Sequence, residues 1–211
     1  MNKSFSLDIN APVILGMTAL SLVTLIIDIA VRGNLIILFA AYRTSFADPM
    51  QYIRLFTHVI MHADLAHYSA NFMMILAVGP MVEEKYGSRR LLPMIIATAF
   101  ITGLTNVIFF PGSATVGASG TVFMLILLAS FTNIRHGKLP VTVPLVAVLY
   151  IGNEVMAGLF TADNISRLSH IIGGLCGACF GGVFHIKKLR ESSGLYLSDG
   201  VNINEPLNHN D

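Results

Sequence analysis

Apolar residues fall along the chain in six long runs divided by short polar breaks. The first run, Ala11 to Val31, matches a hydrocarbon core of about 30 Å at about 1.5 Å per helical residue. It is longer than the apolar part of a signal peptide and no small-x-small cleavage site follows it, so a retained first helix is expected. Residues 32–63 form a connection carrying Arg43, Asp48, Pro49, Arg54, His58 and His62. Its apolar stretches, Leu35 to Ala41 and Tyr52 to Phe56, are too short to span, which predicts a segment lying in the membrane interface. A second span is predicted from an N-cap at Asp64 to Val82, followed by a charged turn over 83–90, and a third from Leu91 to Phe110. Pro111-Gly112-Ser113 breaks the chain before a fourth span that opens at Ser119 and runs to about Asn133. Arg135 to Pro140 make a turn, the fifth span reaches Phe160, Thr161 to Ser166 form a loop, and the sixth span ends near Ile186. The expected organisation is a short cytoplasmic N-terminus (1–10), a six-helix membrane domain (11–186) and a polar, disordered cytoplasmic tail (187–211).

Composition turns this pattern into a class. Hydrophobic residues make up 54% of the 211 and charged ones 12%, with a mean hydropathy of +0.70; an ordinary soluble domain is about a quarter charged. The chain is therefore read as an all-α membrane protein. A net charge of +1 and the lack of any Lys/Arg block argue against a nucleic-acid partner. Six spans put both termini on one side, with Lys3, Lys85, Arg89, Arg90, Arg135, Lys138, Lys187, Lys188 and Arg190. Arg32, Arg43, Arg54 and Arg167 fall opposite, nine against four of the 13. The positive-inside rule then makes both termini cytoplasmic. Cys176 and Cys179 form a Cys-x-x-Cys inside an apolar run, where small apolar filler fits better than a redox pair.

With that topology, helices two, four and six all begin at the outer face. Ser119 lies just inside helix four, in Val116-Gly117-Ala118-Ser119-Gly120, and His170 lies about one turn inside helix six. His67 and Asn71 stand one to two turns inside helix two, four residues apart on one face. Four polar side chains thus share a shallow layer. Small residues around a serine commonly serve only helix packing, and a His–Asn pair can simply hold helices together. Polar groups inside a membrane are nevertheless costly and mark functional sites. A serine becomes a nucleophile beside a base, and a developing oxyanion needs donors already aimed at it. His170 can be the base, and His67 with the Asn71 amide the donors. His170 shares its face with Gly174, Gly177 and Gly181, a smooth stripe that would let helix four approach, and Phe123 would offer its ring to the imidazole. No carboxylate inside the membrane is placed to orient His170, since Asp163 is in a loop and Asp28 ends helix one, which favours a dyad over a triad.

Gly117-Ala118-Ser119-Gly120 opening a helix, His62-x4-His67-x3-Asn71 in and before an earlier one, and His170 leading a glycine-rich last helix together resemble the rhomboid family of intramembrane serine proteases. The resemblance covers residues 11 to 186 in matching order. It implies a bacterial-type six-helix core in which Ser119 is the nucleophile, His170 the general base, and His67, Asn71 and the Ser119 backbone amide the oxyanion hole. Glu83-x3-Gly87 resembles the family's acidic-glycine turn, and Arg54 the arginine of its first loop, both structural. Two positions depart from the family: Ile53 stands where a Trp is usual, and Phe123 where a Tyr is common. The resemblance further implies a multi-pass protein of the bacterial inner membrane, acting on transmembrane segments of single-span proteins with no cofactor.

Rival readings are a small transporter using the same polar layer, which an inverted repeat would favour, and an inactive binder of transmembrane helices, which would lack the nucleophile or base. His58-x3-His62 has helical metal-ligand spacing but no third ligand with clear spacing, so no metal is expected. Asn106 is expected to hydrogen-bond between helices, while Asn153 and Glu154 of helix five carry no assigned role.

Overall fold

The computed structural model describes residues 10–133 and 164–198 and the single positions 141, 145, 148, 149 and 152. Residues 1–9, the turn after the fourth span, Asp163, nearly all of the expected fifth span with Asn153 and Glu154, and residues 199–211 lie outside the described residues. The helices are α1 (Pro12–Ala30), α2 (Ile36–Phe39), α3 (Pro49–Thr57), α4 (Leu65–Tyr86), α5 (Ser88–Phe109), α6 (Ser119–Ser130) and α7 (Asn164–Ser198). A 3-10 turn, His58–Ile60, follows α3, and another, Phe131–Asn133, follows α6. Among the described residues the only extended pairing is an isolated bridge between Ala41 and Thr115. This is an all-α membrane bundle. Its outer surface is apolar, as at Leu20, Ile29, Met73 and Ile108, whereas Ser21, Thr98, Thr102 and Asn106 are buried, the reverse of a water-soluble bundle.

Helices α1, α4 and α5 and the Arg167–Ile186 stretch of α7 are long and apolar enough to cross a bilayer. Helix α6, with 12 residues, is not; at about 1.5 Å per residue it covers only about 18 Å. It sits in the middle, packed by α4, α5 and α7, with Thr121, Val122, Met124, Leu125 and Leu128 buried. The contact with α7 is backbone on backbone. A Cβ on Gly173 would strike the Gly120 carbonyl, one on Gly177 the Met124 carbonyl, and one on Gly181 the Phe131 ring. These three glycines form an i, i+4, i+8 ridge. The stripe expected through Gly174 is thus displaced by one residue at its top: Gly173 carries the contact with Gly120, and Gly174 is buried beside it.

Acidic side chains hold the starts of three helices. Asp64 Oδ1 accepts from His67 N (2.7 Å), Asp48 Oδ1 from Met50 N (2.9 Å), and Asp28 Oδ1 from both Leu35 N (2.9 Å) and Ile36 N (2.8 Å). Asp28, at the end of α1, thereby fixes α2. The charged turn expected over 83–90 is almost entirely helical. Only Gly87 (φ +80°) separates α4 from α5, a left-handed position that glycine takes without penalty. Glu83 is 2% exposed because its carboxylate accepts from Val13 N (2.9 Å), Ile14 N (3.0 Å) and the Ser88 hydroxyl (2.6 Å), capping α1 from the far end of α4. Glu83→Ala is expected to lower the thermal midpoint in detergent by an amount corresponding to about 2 kcal/mol, two of the N–H groups at the start of α1 being left without an acceptor. An unchanged midpoint would show that α1 is held without it. At the other end of the chain, α7 continues to Ser198, beyond the expected end near Ile186.

Candidate functional site

Helix α6 starts at Ser119 with Ala118 as its N-cap, and no side chain caps it. The first N–H groups of a helix have no intrahelical acceptor, so the Ser119 amide heads an uncapped, positively polarised helix end. The segment before it is tightly held. Gly117 N donates to His58 O (2.9 Å), and Ala118 N to His62 Nε2 (3.3 Å). Asn106 Nδ2 donates to Ala41 O (2.8 Å) and Ser113 O (3.1 Å). Asn106 therefore ties two loops together, a correction to the interhelical bond expected of it. Its helix ends three residues on, at the loops themselves.

His67 and Asn71 reach the same place from α4. A Cβ on Gly117 would lie 2.6 Å from His67 Cε1, 2.7 Å from its Nε2 and 3.5 Å from Asn71 Nδ2. The ring and the amide thus press against the backbone two residues before Ser119. Asn71 is 7% exposed, and its Nδ2 has no acceptor among the described residues. Buried amide donors are nearly always satisfied, so this one is an open donor beside the serine turn.

His170 lies on the turn of α7 that faces the start of α6. The Ser169 carbonyl is 3.4 Å from the Cβ position of Gly120, Gly173 abuts the Gly120 carbonyl, and the His170 and Phe123 ring centroids are 4.4 Å apart at 43°. Gly120 is closed on its other side by Thr102 Cγ2, at 2.9 Å from its Cβ position. Ser119, His67, His170 and Phe123 are all half-buried, so the cluster is neither sealed nor on an open surface. The sequence-identified residues Ser119, His170, His67, Asn71, Gly117, Gly120 and Phe123 are gathered at one end of α6, with Gly177 lower down the same seam. Arg54, Glu83 and Gly87 are elsewhere. Arg54 bonds Asp48 Oδ2 (3.3 Å) and lies over the Tyr42 ring (4.3 Å), bracing the first loop. Next to it the outward-pointing Ile53 is exposed.

Two residues are central to this scaffold: His58, legible only through its metal-like spacing to His62, and His62, which also opens the His62-x4-His67-x3-Asn71 motif. His62 is fully buried, ringed by His67, Tyr68 and Phe72, and its Nε2 accepts the Ala118 N–H. His58 meets the Arg54 carbonyl (3.3 Å) and the Thr102 hydroxyl (3.4 Å), so the two imidazoles serve different partners. Burial pushes both down to about 4, helped at His62 by the neighbouring His67. A histidine whose folded value lies below its usual 6.5 takes up protons more readily unfolded, so stability falls as pH drops through 6.5 and the loss levels off near 4. The thermal midpoint is therefore expected to fall between pH 7 and pH 5, by the equivalent of up to about 2 kcal/mol for each ring. In His62→Gln the slope should be shallower, and a flat profile in the wild type would contradict the assignment.

Comparison with known proteins supplies the family. A family model described as Rhomboid domain matches residues 49–187. Rhomboid protease GluP of Bacillus subtilis is 27% identical over 148 residues, which cover 69% of this chain and 28% of that protein. Rhomboid-like protease 3 of Toxoplasma gondii is 32% identical over 93 residues, 44% of this chain and 35% of its own. Rhomboid protease GlpG of Serratia proteamaculans is 23% identical over 168 residues, 79% of this chain and 60% of its own. The chain thus spans less than two thirds of the length of each of these relatives. The family match runs from the first-loop helix α3 to the sixth predicted span and includes every residue of the cluster around Ser119; the chain belongs to the rhomboid family.

Proposed function

We propose that the protein is an intramembrane serine endopeptidase that cuts single-span membrane proteins near the outer membrane boundary through a Ser119–His170 dyad. The observation that carries this reading is the open Asn71 amide beside the uncapped start of α6. Donors left unmet in the resting protein are what an oxyanion hole requires, because they meet their acceptor only as the carbonyl oxygen gains charge. His67 and the Ser119 amide complete the set. Ser119 Oγ attacks the scissile carbonyl carbon while His170 accepts the hydroxyl proton. Collapse of the tetrahedral adduct breaks the C–N bond, and His170 gives the proton to the leaving amine. Water then attacks the acyl-enzyme with His170 again as base, restoring the serine and releasing the new carboxyl terminus. No cofactor enters.

Two further features support a membrane substrate. Helix α6 is shorter than the bilayer, which leaves room for its first residue to start below the membrane surface, where water reaching the half-buried site from one face can coexist with a lipid-embedded substrate. A helical substrate shields its own amides, so residues that weaken the helix near the cut should speed cleavage. The test is a fluorophosphonate probe. A covalent adduct is expected on the peptide containing Ser119 in the wild type and not in His170→Ala. Labelling that stays in Ser119→Ala, or cleavage that survives His170→Ala, would overturn the proposal.

A further inference from the structure

A second, wholly apolar recess lies on the lipid-facing side, away from the serine cluster. It is a cleft of about 370 Å³ between α1 (Pro12, Val13, Gly16, Met17, Leu20), α5 (Leu92, Ile95, Ile96, Ala99) and the end of α3 with its following turn. That volume is within the roughly 300–1,000 Å³ of ligand clefts. Its walls are two helical stripes, at offsets of one, four, five and eight on α1 and three, four and seven on α5. Leu20 (50%), Leu92 (47%) and Ile96 (46%) remain exposed along its mouth. Phe56, Val59 and Ile60 of the first loop roof it.

The cleft has one charged end. Val13 and Ile14 hydrogen-bond to Glu83, at the end of α4, so the N-termini of α1 and α5 lie at the same membrane face. Arg89, in the first turn of α5, is three residues before Leu92 and seven before Ile96, and so continues the cleft's own stripe into the headgroup region. It is exposed, and among the described residues it has no ion-pair partner. Lys85 and Arg90, both exposed, flank it. A cleft opening into hydrocarbon, one wall ending in an unpaired guanidinium at headgroup level, has the form of an acyl chain joined to an anionic head. We infer that this cleft binds one anionic phospholipid, an acyl chain lying between α1 and α5 and the phosphate on Arg89. The inference does not depend on the hydrolytic reading.

Gly16 makes it testable. A Cβ there would meet nothing within 4 Å, and Gly16 lines the cleft, so a side chain added at this position points into open space rather than into a neighbouring helix. The full chain is reconstituted with phosphatidylglycerol or phosphatidylcholine and examined by native mass spectrometry, and a phosphatidylglycerol with a photoreactive acyl chain is cross-linked in parallel. Retention of one phosphatidylglycerol over phosphatidylcholine is expected, with cross-links on peptides spanning 12–20 and 92–99. Gly16→Phe should abolish both signals. Arg89→Gln should cut retention about fivefold, the effect of one basic residue at an anionic surface, and remains informative if Gly16→Phe fails to fold. Equal retention of the two lipids, no loss in Arg89→Gln, or cross-links confined to other helices would overturn the site. So would a dimer without lipid that Gly16→Phe dissolves, which would give the cleft to a second copy.

Discussion

Ser119→Ala is expected to reduce cleavage of a single-span reporter in proteoliposomes by at least about 10³-fold while leaving the thermal midpoint in place. The substitution removes one oxygen at the first position of α6, and alanine is the better helix former there, so neither the helix nor its glycine seam with α7 loses anything. His170→Ala should be as severe, and the double variant no worse than either single one, because nucleophile and base act as a unit. Asn71→Ala should cost less, about 10²-fold, since the Ser119 amide and His67 remain as donors. The order of these losses is the discriminating measurement. Substantial cleavage in Ser119→Ala, or a larger defect in Asn71→Ala, would remove the serine from the centre of the chemistry.

Much of this arrangement is legible in the chain because a bilayer enforces simple rules. Run lengths of apolar residues locate α1, α4, α5, α6 and α7, since each backbone polar group in hydrocarbon must be satisfied within its own helix. The cluster around Ser119 is legible for a related reason: Ser119, His67, Asn71 and His170 are polar where polarity is costly, and chain direction sets their depth. What escapes is whatever depends on a partner distant in sequence. The resemblance implies a structural role for Glu83, but nothing local reveals that its partners are the N–H groups of Val13 and Ile14. Asn106 looked like a link between helices because the carbonyls of Ala41 and Ser113, its real partners, lie in loops without a pattern. His58 and His62 shared a metal-like spacing, yet a 3-10 turn between them sends one ring to Thr102 and the other to Ala118. The lipid-facing cleft is legible in neither stripe alone, since its walls come from helices about eighty residues apart.

Gly117→Ala should be the most damaging substitution that touches none of the reacting groups, lowering kcat about 10²-fold with little change in KM. Gly117 holds φ at +115°, where an L side chain is strained at a cost of about 1–3 kcal/mol, and it cannot relax freely because its N–H is bonded to His58 O. The added methyl would sit 2.6 Å from the His67 ring, so the imidazole must swing aside, taking a donor out of line with the serine and crowding Asn71. Misplacement by about 1 Å is enough for a loss of that size. Gly112→Ala, in the same loop but with open space at its Cβ position, should leave the rate unchanged. A double-mutant cycle isolates the cause. In His67→Ala the methyl meets no ring, so adding Gly117→Ala should cost far less than it does in the wild type. Additive losses would show that backbone strain alone is responsible, and a wild-type rate in Gly117→Ala would mean that His67 need not stand where it does.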